Sequence, residues 1–267
     1  MKICMMSCML GCQTPAAEVL KTARYCRTEA VDWVSLHGSK PAELKKLSAE
    51  AGMPIAAYTA LKGKVTAGLE KGYEDETRES VDEALEMAAP VLMIPPFPIA
   101  GKSMSEALKI WTEVYAIAVE HAKGTPLTVT LESTGMAKSP LVTGEEVMSV
   151  LKQVPGLKVT FDQGNTATAC DEKEAYQMVR DYIVHFHIKD WIIRDAPFKP
   201  DGELKRIGKY FGNVIIGQGD MDLKGFWDQV TPQQKETCYV NMETLDFTHK
   251  KSAAESLKEI ADMLRSW

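Results

Sequence analysis

Thr128-Val129-Thr130-Leu131-Glu132 alternates polar and apolar side chains and closes on a carboxylate. A period of two defines a strand with one packed face and one wetter face. Three later runs repeat the pattern: Lys158-Val159-Thr160-Phe161-Asp162, Ile183-Val184-His185-Phe186-His187 and Tyr239-Val240-Asn241-Met242-Glu243. Their apolar faces read Val/Leu, Val/Phe, Val/Phe and Val/Met, and suit packing helices. The other faces end on Glu132, Asp162, His187 and Glu243, one metal-competent side chain per strand. Three carboxylates converging in a low-dielectric cleft repel one another, so a cation is the simplest reason to gather them.

Outward from these runs, strand and helix patterns alternate along the whole chain without a Gly/Ser linker, which predicts one domain over residues 1–267. Strands are expected at Ile3–Met6, Val31–His37, Pro54–Thr59, Val91–Pro95, Leu127–Glu132, Leu157–Asp162, Ile183–His187 and Cys238–Glu243. Between them, Thr14-Pro15 offers a cap and first-turn proline for a helix toward Thr28. Further helices are expected at Pro41–Ala51, Thr77–Met87, Ser103–Ala122 and Ser252–Arg265, and Thr143-Gly144-Glu145-Glu146 is a capping box. Eight β/α units in 267 residues predict an α/β fold, a single (β/α)8 TIM barrel. The rival, an open doubly wound sheet, would carry a glycine fingerprint where Ser7-Cys8-Met9-Leu10-Gly11-Cys12 stands. The four donors fall at the C-terminal ends of their strands, where barrels gather active-site groups.

Composition bounds the function. The chain is 45% hydrophobic and 25% charged, and its net charge of -6 opposes a nucleic-acid partner, which needs cationic surface. No apolar stretch approaches the roughly 18 residues of a membrane span. Six unevenly spaced cysteines in a chain of this size read as reduced thiols in a cytoplasmic protein. Cys4, Cys8 and Cys12 have the wrong spacing for a radical-type iron–sulfur loop and read as small buried hydrophobes. Three oxygen donors and an imidazole suit one divalent metal ion, with Mn2+ or Mg2+ favoured and Co2+ or Zn2+ as alternatives.

The constellation resembles the xylose isomerase-like, or sugar phosphate isomerase/epimerase, barrels. The resemblance lies in Leu131-Glu132, Phe161-Asp162-Gln163-Gly164-Asn165, His185-Phe186-His187-Ile188-Lys189-Asp190, Gly217-Gln218-Gly219-Asp220-Met221-Asp222 and Met242-Glu243, between Leu127 and Leu245. It implies a metal held by Glu132, Asp162, His187 and Glu243, with adjacent oxygens of a polyhydroxy carbonyl compound bound beside it. Glu132 and Glu243 would then move a proton through a metal-stabilised enediolate, giving epimerisation or isomerisation. Expulsion of a β-hydroxyl would make the protein a lyase, such as a keto-cyclitol dehydratase, and 3-keto-glycoside cleavage belongs with it; a non-catalytic sugar-binding barrel is the third reading. The implied partner is a small carbohydrate, and a homo-oligomer is compatible with it.

Two departures qualify the resemblance. Ser133-Thr134-Gly135 follows Glu132 where ketose 3-epimerases carry an Asn-Arg pair, and Arg194 stands one residue further from His187 than their substrate-binding arginine. The apurinic endonucleases of the same superfamily use three zinc ions and many histidines, against five here. Candidate substrate contacts are Asn165, Lys189, Asp190, Arg194 and His37. Lys189 and Asp190 are read as solvated surface charge or as a rim ion pair that also touches substrate, and His37 as facing inward with Trp33 and Ser35 at the end of its strand, a substrate contact or a rim histidine. His185, about 6.6 Å below His187 at about 3.3 Å per residue, reads as a partner of the ligands or a core residue. Tyr58 and Pro95-Pro96-Phe97-Pro98 are expected to wall the pocket or form an apolar stripe. The long connection holding Arg194, Lys199, Lys205, Arg206 and Lys209 is expected to act as a lid, with a phosphate contact as a weaker reading.

Overall fold

The computed structural model describes residues 1–69, 71–244 and 252–267. Leu245 and His249 lie outside the described residues. Eight parallel strands close on themselves: β1 (Lys2–Met6), β2 (Ala30–Val34), β3 (Ile55–Thr59), β4 (Val91–Ile94), β5 (Thr128–Glu132), β6 (Lys158–Asp162), β7 (Ile183–Ile188) and β10 (Tyr239–Met242). The ring is sealed where β1 pairs with β10, from Lys2↔Tyr239 to Met5↔Met242. This is the (β/α)8 TIM barrel, and closure rules out the open sheet. β8 (Trp191–Arg194) and β9 (Tyr210–Asn213) form a separate antiparallel hairpin in the connection after β7.

Helices form where the sequence combines an apolar stripe with a cap. α1 (Ala16–Tyr25), α2 (Pro41–Glu50), α3 (Gly63–Thr66), α4 (Tyr73–Met87), α5 (Met104–His121), α6 (Gly144–Leu151), α7 (Gln163–Thr166), α8 (Glu172–Val179), α9 (Leu223–Gln229), α10 (Pro232–Thr237) and α11 (Ala253–Leu264) follow in chain order. Reciprocal capping boxes open α5 (Ser103/Glu106), α6 (Thr143/Glu146) and α11 (Ser252/Glu255). Each satisfies backbone N–H groups that the first turn leaves without partners. α4 begins four residues earlier than its apolar spacing suggests, because Gly72 turns the chain at φ 84° and Glu74, Asp75 and Glu76 suit the positive end of the helix. The core lies between the strands and the helical shell. Trp111 and Tyr115 of α5 are fully buried in it and donate to the carbonyls of Phe97 and Ile94. Leu257, Ile260, Ala261 and Leu264 close the last sector.

The second strand differs from the expectation. It ends at Val34, and Ser35 and His37 take positive φ values of 63° and 49° in the turn beyond. Trp33 points outward and donates through Nε1 to Ser48 of α2, while Asp32 faces the lumen and meets Thr59 and Asn241. Every residue of β2 is buried, so its two faces offer no contrast from which parity could be read.

Candidate metal centre

The strand parities that hold on β5, β6, β7 and β10 bring four chain-distant side chains together at the C-terminal mouth. One donor atom each from Glu132, Asp162, His187 and Glu243 lies within 4.8 Å of all the others. Three of the residues end or nearly end a strand; Glu243 lies one residue past β10 and is fixed by its N–H bond to the Ile188 carbonyl, 2.9 Å. His187 Nδ1 is 2.5 Å from Glu132 Oε1 and 3.4 Å from Glu243 Oε2. Despite that short approach, Glu132 Oε1, Asp162 Oδ2 and His187 Nδ1 are buried and make no hydrogen bond of good geometry. Buried polar atoms without partners are rare, and three of them aimed at one point fit a bound cation.

Lys189, two residues past His187 on the same side, enters this group from β7. Its ammonium contacts Glu243, lies 3.6 Å from Asp162 Oδ2 and donates to Asn165 Oδ1 at 3.1 Å. Three carboxylates against one ammonium still leave an excess of two negative charges, the charge of one divalent ion. Burial pushes the Glu132 carboxyl up, partly offset by His187, and pushes Asp162 well up despite Lys189. For Glu243, burial acts in the same direction, but Lys189 and His187 outweigh it and hold the carboxyl low. The two carboxylates named as proton carriers therefore differ in proton affinity.

A second polar layer sits beneath the donors. The residues two positions before each ligand are Thr130, Thr160, His185 and Asn241, and Asp32 and Thr59 complete the layer from β2 and β3. Thr130 and Thr160 hydroxyls bond at 2.8 Å. Asp32 Oδ2 accepts from Asn241 Nδ2 at 2.9 Å and faces Nε2 of both His185 (3.6 Å) and His187 (3.5 Å). Those two histidines hold the Asp32 carboxyl far below its usual range against the opposing effect of burial. Asp32 escapes a sequence reading because the parity of β2 is hidden; Thr59 and Asn241, its lumen partners, are the only compositional signal.

The remaining candidates divide. Asn165 joins the site: in α7, directly after Asp162, its N–H bonds Asp162 Oδ1 at 2.7 Å and its amide bridges Ser133 O and Lys189. Asp190 does not pair with Lys189. Its carboxylate accepts backbone N–H bonds from Trp191, Gly217, Gly219 and Met221, and so fastens the glycine-rich segment beneath the hairpin. His37 is corrected from an inward rim position: its ring bridges the Thr14 carbonyl and Ser7 Oγ, both at 2.8 Å, and stands edge-on to Trp33. Tyr58 points away from the lumen, to Glu83 of α4. Arg194 is exposed and lies over the Phe198 ring, 4.6 Å from its centre.

Three basic residues of the long connection are engaged internally. Arg206 binds Glu146 at 2.8 Å and the Ser139 carbonyl at 3.0 Å, which ties the hairpin region to α6. Lys205 pairs with Glu203 and Lys209 with Asp195. A cavity of about 580 Å³ lies at the opposite end of the barrel, lined by Asp181, Ile183, Thr231 and Gln234, and contains none of the four donors. No helix among the described residues is long and apolar enough to cross a membrane.

Solved structures share this architecture at low identity. A sugar phosphate isomerase/epimerase from Parabacteroides distasonis is 14% identical with a TM-score of 0.72, covering 99% of this chain and 93% of that one. The IolI protein with a bound zinc atom is 15% identical with a TM-score of 0.75, covering 99% and 96%. A probable 3-DHS dehydratase, AsbF, from Bacillus anthracis is 14% identical with a TM-score of 0.69, covering 99% of each chain. At these identities the likeness concerns the fold. No curated protein sequence matches the chain. The family model for the xylose isomerase-like TIM barrel matches residues 20–267, and the chain belongs to that family.

Proposed function

We propose that the protein is a divalent-metal-dependent isomerase or epimerase of a sugar or polyol, and that it shifts a proton on a carbon beside a carbonyl group. The observation that carries this reading is the convergence of four buried or nearly buried donors, three of them with an orphaned atom, at the mouth of the barrel. Glu132, Asp162, His187 and Glu243 would hold the ion, Mn2+ or Mg2+ by the preponderance of oxygen donors. The ion supplies positive charge beside a substrate oxygen as the neighbouring C–H loses its proton.

The chain's own groups divide the remaining work. Glu132, whose carboxyl burial pushes up, is suited to take a proton and give it back. Glu243, held low by Lys189, ligates and orients, and accepts a proton only when the Lys189 contact loosens. Lys189 and Asn165 present an ammonium and an amide to a polyhydroxy substrate, and Lys189 also stands over the Trp191 ring. We place the protein in the cytoplasm, with a small carbohydrate as its partner.

A second reading, dehydration, is favoured by one observation: the buried Lys189 ammonium stands in the same site, where it can hydrogen-bond a departing hydroxyl. Incubation with Mn2+ and a panel of ketoses and aldoses in deuterated water separates the readings. Deuterium in recovered sugar, lost in Glu132→Gln, supports the isomerase or epimerase. An enone chromophore identifies the lyase, and binding without exchange or elimination leaves a sugar-binding barrel.

A further inference from the structure

His187 has its two ring nitrogens in different surroundings. Nδ1 faces Glu132 and Glu243, and Nε2 points down the lumen toward Asp32 Oδ2 at 3.5 Å. Asp32 is fully buried and held from both sides, with Thr59 Oγ1 donating to Oδ1 at 3.1 Å and Asn241 Nδ2 donating to Oδ2 at 2.9 Å. His185 stands edge-on to His187 with ring centres 5.4 Å apart, and its Nε2 also looks toward Oδ2. The four side chains around Asp32 come from three strands of the closed ring, β3, β7 and β10, and the carboxylate cannot turn away without breaking two hydrogen bonds.

We propose that Asp32 is a positioning residue of the centre: it takes the Nε2–H of His187 and thereby keeps the Nδ1 lone pair available to an ion between Glu132, Asp162 and Glu243. This rests on the metal reading given above. A neutral imidazole carries one proton and one lone pair, so whichever group receives the proton decides which nitrogen ligates. Asp32 is the anion on the Nε2 side. Asn241 Nδ2 lies 3.4 Å from Nε2 and could donate to it only in the opposite tautomer, but its shorter bond, 2.9 Å, goes to Asp32 Oδ2. Carboxylates behind ligating histidines tune metal affinity by about 10- to 100-fold. The 3.5 Å separation exceeds the usual N–H···O length of about 3.0 Å, and both side chains are fully buried. A second ion among Asp32, His185 and His187 is opposed by the Asn241 amide hydrogens directed at the same oxygen.

Two measurements test the assignment on the full chain. With [15N]histidine labelling, and the His187 signals identified by their loss in His187→Gln, a bonded Nε2–H is expected both without metal and with Zn2+, and Nδ1–H is expected to vanish on Zn2+ addition. Asp32→Asn is expected to weaken Zn2+ binding by about 10- to 100-fold and to shift the Nε2–H signal. An unprotonated Nε2 in the Zn2+-loaded protein overturns the proposal, as does wild-type affinity in a folded Asp32→Asn protein or two Zn2+ ions per chain. If Asp32→Asn does not fold, the wild-type spectra decide. A wild-type chain that binds no divalent ion removes the metal reading alone, and the metal-free Nε2–H signal then supports or sinks the role of Asp32 by itself.

Discussion

Asp190 Oδ2 accepts a hydrogen bond from the Gly219 backbone at 2.8 Å, and the contact exists because residue 219 has no side chain: a Cβ there would stand 2.2 Å from Oδ1. The same carboxylate accepts from Gly217 at 2.9 Å, Trp191 at 2.9 Å and Met221 at 3.3 Å. The His-x-Lys-Asp run and the Gly-x-Gly segment are thus halves of one fastening. Lys189 faces the ion site while its neighbour Asp190 locks the backbone that follows the hairpin.

Removal of this acceptor should therefore act on stability. Asp190→Ala leaves several backbone donors without a partner, a loss of about 3 kcal/mol given about 1–3 kcal/mol for each buried group and partial rescue by water. Urea denaturation measures it. A loss below about 0.5 kcal/mol, the range of ordinary surface substitutions, would show that the segment is held by other contacts.

Lys189 should separate metal binding from turnover. Lys189→Met frees Glu243 and Asp162 from a competing cation, so Mn2+ affinity should stay level or tighten, because a nearby like charge disfavours a bound ion. Turnover should fall by about 100-fold or more, the scale seen when a charge-stabilising donor is removed. Mn2+ titration followed by paramagnetic resonance gives the first quantity and deuterium exchange the second. A tenfold weaker Mn2+ site would contradict the repulsion argument.

How much of this was legible follows from the contrast between strand faces. On β5, β6, β7 and β10 a polar or titratable lumen face alternates with Val, Leu, Phe and Met, so the parity of Glu132, Asp162, His187 and Glu243 could be read before any fold was known. On β2 the run Ala30-Val31-Asp32-Trp33-Val34 is buried on both faces, and Trp33 was assigned inward where Asp32 belongs. The register of β2 against β3 also shifts between Val31 and Asp32, which periodicity cannot show. His37 failed for a different reason: two left-handed residues end the strand early, and neither is glycine. Lys189 and Asp190, adjacent and opposite in charge, resembled an ion pair, but neighbours along an extended chain point to opposite sides.

The raised Glu132 and Asp162 carboxyls set the pH dependence of metal binding. Burial is the larger cause in both, so protons compete with the ion above the ordinary carboxylate range. Raising pH removes those protons, and Mn2+ affinity should increase from pH 5.5 to pH 7.5. Wild-type thermal stability in Mn2+ should likewise exceed that in EDTA, by about 2.7 kcal/mol at an ion concentration of about 100 times Kd. Equal affinity at both pH values would place the two carboxyls in the ordinary range.

Lys62, just after β3, provides a test independent of the site. Its ammonium is buried, donates to the Glu76 carbonyl at 2.8 Å and contacts Ser80, and burial lowers its pKa from 10.5 to about 8 against the pull of Glu76, Glu83 and Glu79. Below about pH 8 both folded and unfolded chains hold the proton, and the folded chain bears the full penalty of a buried charge. Between about 8 and 10.5 the unfolded chain binds more protons, so stability rises with pH; above 10.5 the effect is complete. The whole change is about 3 kcal/mol at about 1.4 kcal/mol per unit. Lys62→Met lacks it, and Ser80 still donates to the Glu76 carbonyl, so no acceptor is stranded. Wild-type stability minus that of Lys62→Met, from denaturation at pH 7, 8.5 and 10, should climb steadily, and a flat or falling difference would mean that the folded lysine holds its proton as firmly as the unfolded one.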